Sequence, residues 1–139
     1  MTKLKLTNHN DVEIARRGLL TPAEVRTCEV EALVDTGATM LMLPEDVCER
    51  LGLTFEPTRR KVRYADGRIA EVRWVGNVRL EIVGREMTCD ALVEAAGTVP
   101  LIGQIPLEAL DLIVDPKSRE LRVNPASPDA PLLDLLAVA

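Results

Sequence analysis

The residues best able to do chemistry in this chain are carboxylates, and one stands in a distinctive setting. In Ala32-Leu33-Val34-Asp35-Thr36-Gly37-Ala38-Thr39 an apolar strand runs directly into an acidic side chain. An ionised carboxylate carried toward a core loses water, which is costly unless hydrogen bonds replace it. Gly37 permits a tight turn and a close approach of backbone, while Thr36 and Thr39 offer hydroxyls. The segment can therefore hold Asp35 rigidly amid local donors. Asp-Thr-Gly by itself leaves a second reading open: an Asp that ends a strand and caps its own turn.

Other engines are scarce. His9 is the only histidine and lies in Thr7-Asn8-His9-Asn10, a polar run read as a loop. A Ser-His-Asp or Cys-His site would have to use it, and the serines, Ser118 and Ser127, sit in turn-like sequence. Metal sites built from several histidines or clustered cysteines have no ligands to draw on, and no glycine-rich phosphate loop occurs. A carboxylate-only metal site stays open but has no loop signature, and no metal or other cofactor is expected. An enzyme built from this sequence works with carboxylates.

The elements that must position Asp35 read as strands, because apolar residues recur with period two. Lys3 to Leu6, Glu29 to Val34, Ile69 to Trp74, Val78 to Val83 and Thr88 to Val93 all fit that pattern. Leu112 to Val114 and Leu121 to Val123 flank the turn Asp115-Pro116-Lys117-Ser118 and predict a hairpin. Two short helices interrupt the strands. Pro44 to Leu51 has Pro at its start, acids in its first turn and Gly52 as a left-handed C-cap. Pro106 to Asp111 is the second.

A chain of 139 residues makes one ordinary domain. It is 47% hydrophobic but only 2% aromatic, so the core is expected to be aliphatic. Net charge is -5 with signs interspersed, which argues against a nucleic-acid partner. No run of about 20 apolar residues is available to cross a membrane, and Met1 to Asn10 lacks the character of a signal peptide. Cys28, Cys48 and Cys89 form no paired motif and read as buried thiols in a reducing compartment. The cytoplasm is the expected location.

In this context Leu33 to Leu53 resembles the active-site segment of retropepsin-type aspartic proteases, and more closely that of their small bacterial relatives. The pattern is apolar residues, Asp-Thr-Gly-Ala, then a strand and a short helix. The family next places a β-hairpin flap, matched by Lys61 to Trp74 with Tyr64-Ala65-Asp66-Gly67-Arg68 as its tip. Its later signature of two apolar residues and Gly before a helix is matched by Leu101-Ile102-Gly103 and Gln104 to Asp111. The resemblance spans Lys3 to Val123, taken as the protease domain (1–123), with 124–139 as a C-terminal tail.

The resemblance implies an all-β, single-lobe acid-protease barrel and an aspartic endopeptidase acting on extended peptide or protein substrates. Two close carboxylates share one proton and activate a water between them. This chain has one Asp-Thr-Gly, so a homodimer is implied, with Asp35 from each copy as the catalytic residue. Thr36, Gly37, Ala38 and Thr39 would form the active-site loop. Tyr64, Ala65, Asp66 and Gly67 would close over substrate, and Leu101, Ile102 and Gly103 would support the loop.

Viral members often carry an acid where Thr39 stands and an Arg where Gln104 stands, and the two pair; both positions are neutral here. That coupled change leaves room for a second reading, a dimeric peptide-binding or scaffold domain that does not turn over. A third is a processing or stress-response protease whose Pro- and Leu-rich tail, Leu132 to Leu136 included, governs assembly. Tyr64 reads equally as a flap residue that bonds near the site and as a half-buried strand residue. Asp66-Gly67 reads as a hairpin turn, Trp74 as core, and Arg59-Arg60-Lys61 as a solvated edge with acidic peptide contact as its alternative.

Overall fold

A computed structural model describes residues 1–133. Ten strands and three helices follow in the order β1 (Thr2–Asn8), α1 (His9–Arg16), β2 (Thr27–Val34), β3 (Leu41–Pro44), α2 (Glu45–Arg50), β4 (Arg60–Arg63), β5 (Ile69–Val72), β6 (Trp74–Ile82), β7 (Arg85–Glu94), β8 (Leu101–Ile102), α3 (Gln104–Ala109), β9 (Leu112–Val114) and β10 (Leu121–Val123). Six strands close a barrel in the order β1-β2-β8-β3-β7-β6. The fold is the single-lobe β-barrel that the resemblance implies, built from strands the alternation predicts.

Period-two alternation sends one set of side chains inward. Leu4 and Leu6 of β1, Leu41 and Leu43 of β3, and Val78, Leu80 and Ile82 of β6 are at most 1% exposed. The core is aliphatic throughout, and half-buried Phe55 packs against it from outside. Cys48 is buried and Cys28 and Cys89 half-buried, all as free thiols. Burial pushes the Cys48 and Cys89 thiols up to about 12, so both stay protonated.

Several boundaries differ from expectation. His9 is not in a loop: it opens α1, where the Asn8 side chain accepts from Asp11 N at 3.1 Å and caps the helix. The helix is missed by periodicity because its only buried residue is the polar Asp11, whose carboxylate takes Arg26 N, Nε and Nη2. The described residues therefore hold three helices rather than the expected two, plus a 3-10 turn at Pro22–Glu24. Ile69 to Trp74 is not one strand: Arg73 separates β5 from β6, and its carbonyl accepts from Val93 N at 3.0 Å. The last helix begins at Gln104, two residues before Pro106, a residue suited to a helix's first turn.

Beyond the barrel, β9 and β10 form the expected hairpin. The following residues are tied to the body through Asp111, which accepts from Asn124 Nδ2 at 3.0 Å, from Ser127 Oγ and from Leu132 N at 3.0 Å. The buried Arg85 guanidinium donates to the Leu110 and Asp111 carbonyls, both at 3.0 Å, and to that of Ser127. Leu132 and Leu133 remain 65% and 60% exposed; Leu135 and Leu136 lie outside the described residues.

Candidate active site

Asp35 follows directly on β2, and β8 fixes that end of the strand. β2 and β8 run parallel, with Leu33 opposite Leu101 and Val34 opposite Ile102. Leu33 N donates to Pro100 O at 2.9 Å and Asp35 N to Ile102 O at 3.0 Å. The chain then turns at once: Ala38 N reaches Asp35 O at 3.1 Å, and Gly37 N reaches Asp35 Oδ1 at 2.9 Å. It returns as β3 on the other side of β8, where Met42 pairs with Leu101.

The loop is stitched to the segment after β8 by main chain alone. Gly103 N donates to Met40 O at 3.1 Å, Gln104 N to Ala38 O at 2.8 Å, and Ile105 N to Thr39 O at 2.9 Å. Gly103 is required by this closeness: a Cβ there would lie 2.6 Å from Met40 N, Met40 O and Thr39 C. A Cβ on Gly37 would instead meet the Asp35 carboxylate, at 3.2 Å from Oδ1.

Two expectations about Asp35 need revision. Its side chain does cap its own turn, through Oδ1, as the self-capping reading has it. Only one oxygen is used; Oδ2 has no hydrogen-bond partner among the described residues. Nor is the carboxylate buried, for Asp35, Thr36, Gly37 and Thr39 are all exposed. The strand delivers Asp35 to an open surface because β2 ends there.

Apolar side chains also stand exposed on the segments next to this strand and loop. Leu33 is 49% exposed, Val99 55% and Ile105 48%. Leu33 gave a legible signal: it shares the outward face of β2 with Glu29 and Glu31, so an apolar side chain occupies a solvent position two residues before Asp35.

Ile102, fully buried, accepts from Asp35 N and Gly103 donates to Met40 O, while Leu101 pairs with Leu33 and Met42 on either side of the loop. Tyr64, Ala65, Asp66 and Gly67 form the tip of the separate β4–β5 hairpin. Tyr64 N donates to Arg68 O at 2.8 Å and Gly67 N to Tyr64 O at 2.9 Å, while Asp66 Oδ1 accepts from Arg68 N at 2.9 Å. Asp66 is thereby a turn residue. Among the described residues no hydrogen bond joins this tip to the Asp35 loop. Trp74 is half-buried, with Nε1 3.3 Å from Thr58 Oγ1. No group of three or more His, Cys, Asp or Glu among the described residues could hold a metal ion, and no helix there is long and apolar enough to cross a membrane.

Residues 21–109 match the family described as gag-polyprotein putative aspartyl protease. The match takes in the Asp35 loop, the β4–β5 hairpin, β8 and α3, well over half the chain, and the chain belongs to that family. No curated protein matches it.

Proposed function

We propose that this chain is an aspartic endopeptidase whose site is completed by a second copy, each contributing Asp35. The observation that carries the proposal is the exposed Asp35 carboxylate, held by Gly37 N through Oδ1 alone, with exposed Leu33, Val99 and Ile105 on the segments next to its strand and loop. Half a two-carboxylate site looks like this: one acid held through a single oxygen, one open oxygen, and exposed apolar neighbours that a partner and a peptide would cover.

In the assembled site the two Asp35 carboxylates share one proton, since ionising both at short range is unfavourable. The ionised one takes a proton from water, which attacks the peptide carbonyl. The protonated one donates a hydrogen bond to the oxygen as it gains charge, and a proton returned to the amine nitrogen completes cleavage. Thr36 braces the paired loops, Gly37 approaches the substrate backbone, Ala38 and Thr39 carry the loop onward, and Leu101, Ile102 and Gly103 back it. The hairpin tip, Tyr64 to Gly67, closes over the peptide and excludes water. The working unit is residues 1–123, with 124–139 as a tail.

Peptide-library digestion from mildly acidic to neutral pH, with molecular mass measured in solution, tests this. The wild type is expected to cleave as a dimer, and Asp35→Asn to keep fold and mass while losing cleavage. Equal activity in that variant ends the proposal. Peptide binding without cleavage under every condition favours the scaffold reading.

A further inference from the structure

The chain has three aromatic residues, Phe55, Tyr64 and Trp74, and each is covered by an arginine. Arg60 lies over Trp74 at 3.9 Å from the ring centroid, Arg68 over Tyr64 at 4.3 Å, and Arg73 over Phe55 at 4.5 Å. All three arginines belong to the β4–β5 hairpin or its immediate edge. Residues 59–73 hold six Lys and Arg against two carboxylates, Asp66 and Glu71, a net of +4 inside a chain of net -5. The signs are therefore not evenly interspersed, as the whole-chain balance suggests: in this hairpin the excess turns positive.

The six cations fall into two groups. At the root, Arg60 pairs with Asp90 at 3.4 Å and Arg73 with Glu45 at 2.9 Å, fastening the hairpin to the barrel. Along the arms and tip, Arg59, Lys61, Arg63 and Arg68 are exposed, and none has a salt bridge among the described residues. Register places Lys61 opposite Glu71 but Arg63 opposite Ile69. Asp66 is occupied by the Arg68 backbone, so the Arg68 guanidinium has a ring beneath it and no carboxylate before it. Stacking holds such a group flat and aimed, which suits two-point capture of a carboxylate.

We infer that the β4–β5 hairpin selects peptides bearing acidic residues beside the bond to be cut, with Arg63 and Arg68 as the specificity-determining side chains. This rests on the peptidase reading above, in which this hairpin closes over the peptide. A short acidic stretch fits better than a polyanion such as single-stranded nucleic acid. The remainder of the chain holds 11 basic and 20 acidic residues, which repel a long polyanion, and each aromatic face turned to an arginine is lost as a stacking platform.

The test uses three peptides that share one core and differ in flanking Glu, Gln or Lys, assayed with wild type and with Arg63→Gln/Arg68→Gln at low and high NaCl. Binding is followed in parallel by fluorescence anisotropy with Asp35→Asn. The kcat/KM ratio of Glu over Gln peptide is expected to be roughly fivefold, two exposed charge pairs being of that order. It should reside in KM, shrink toward one as salt rises, and reach about one in the double variant. An equal or reversed ratio in wild type, or a preference that survives in the double variant, overturns the inference while leaving the peptidase reading intact. Where no peptide is cleaved, that reading fails and anisotropy decides the other: tighter Glu-peptide binding, lost on adding the two Gln substitutions, supports the hairpin's role, and equal affinities overturn it. Stronger binding of a single-stranded oligonucleotide than of the Glu peptide also overturns it.

Discussion

Replacing Gly103 with alanine should damage the molecule more than any other single methyl group added near Asp35. The new Cβ would stand 2.6 Å from three backbone atoms, Met40 N, Met40 O and Thr39 C, where carbon contacts need about 3.5–4.0 Å. Backbone has no rotamer to yield with, so the two segments must part by about 1 Å. Overpacking of that kind costs about 1–3 kcal/mol, and weakening one of the bonds Gly103 N–Met40 O, Gln104 N–Ala38 O or Ile105 N–Thr39 O adds about 1 kcal/mol. At about 3–5 °C per kcal/mol for a domain of this size, Tm should fall by about 10 °C. Those same bonds hold the loop that carries Asp35, and a misplacement of about 1 Å can reduce turnover about a hundredfold. Gly37→Ala is the matched contrast. Its Cβ meets only the Asp35 carboxylate, at 3.2 Å, a side chain that can swing. It should lose under about 1 kcal/mol of stability, within the range of ordinary exposed changes, yet lose cleavage because the carboxylate is turned. Thermal unfolding by circular dichroism and peptide cleavage, run on both variants, decide the matter. A Gly103→Ala protein with the wild-type Tm refutes the packing argument.

The turn between β6 and β7 offers a stabilising change: Val83 and Gly84 have φ of 51° and 79°, a geometry favouring Asn-Gly and strained for a β-branched residue. Val83→Asn should raise stability by about 1 kcal/mol, read as a higher Tm; an unchanged or lower Tm refutes it. The clamp on the segment after β10 should respond to acid. The Ser127 hydroxyl, the Asn124 amide and Leu132 N hold the Asp111 carboxyl down at about 2, below its ordinary 3.8. A depressed carboxyl favours the folded contact above its ordinary value and loses that advantage as pH falls toward the depressed one. Amide signals of Asn124 to Leu132 should therefore hold steady from neutral pH to about 4 and shift between about 4 and 2. Signals that shift near pH 6 would refute the assignment to Asp111.

The strands were legible because burial on one face imposes period two, and those around Asp35 obey it, whereas their closure into one barrel came from the resemblance. Leu41 and Leu43, or Val78, Leu80 and Ile82, are apolar where the core requires it. Gly103 was also legible, although sequence could not say what it touches: its need for a bare backbone comes from Met40, more than sixty positions earlier. What escaped were features held by polar contacts. Helix α1 is pinned by Asn8, Asp11 and Arg26, residues that a hydrophobic pattern scores as surface. The exposure of Asp35 escaped for a related reason. An apolar approach along β2 reads as descent into a core, yet Val34 is only half-buried and Leu33 faces out. The same letters describe a strand entering an interior and a strand ending at a surface that another molecule would cover.

That ambiguity bears on the substitutions at Thr39 and Gln104. Viral members of the family the chain resembles often carry an acid and an Arg at these two positions, and the neutral residues here could be taken to leave the Asp35 loop slack. The contacts argue otherwise. Gln104 turns its side chain along its own helix, with Nε2 3.0 Å from Glu108 Oε1, and gives only its backbone N to the loop, at Ala38 O. Thr39 likewise takes part through its carbonyl, to Ile105 N. With Gly103 N on Met40 O, three consecutive main-chain donors fasten three consecutive carbonyls, a lattice in which the side chains at 39 and 104 have no share. Backbone bonds of this kind do not titrate, so the loop needs no charged pair to keep its shape within one chain. The position of Asp35 then depends on the bareness of Gly103, and the neutral side chains at 39 and 104 do not by themselves loosen the loop that carries it.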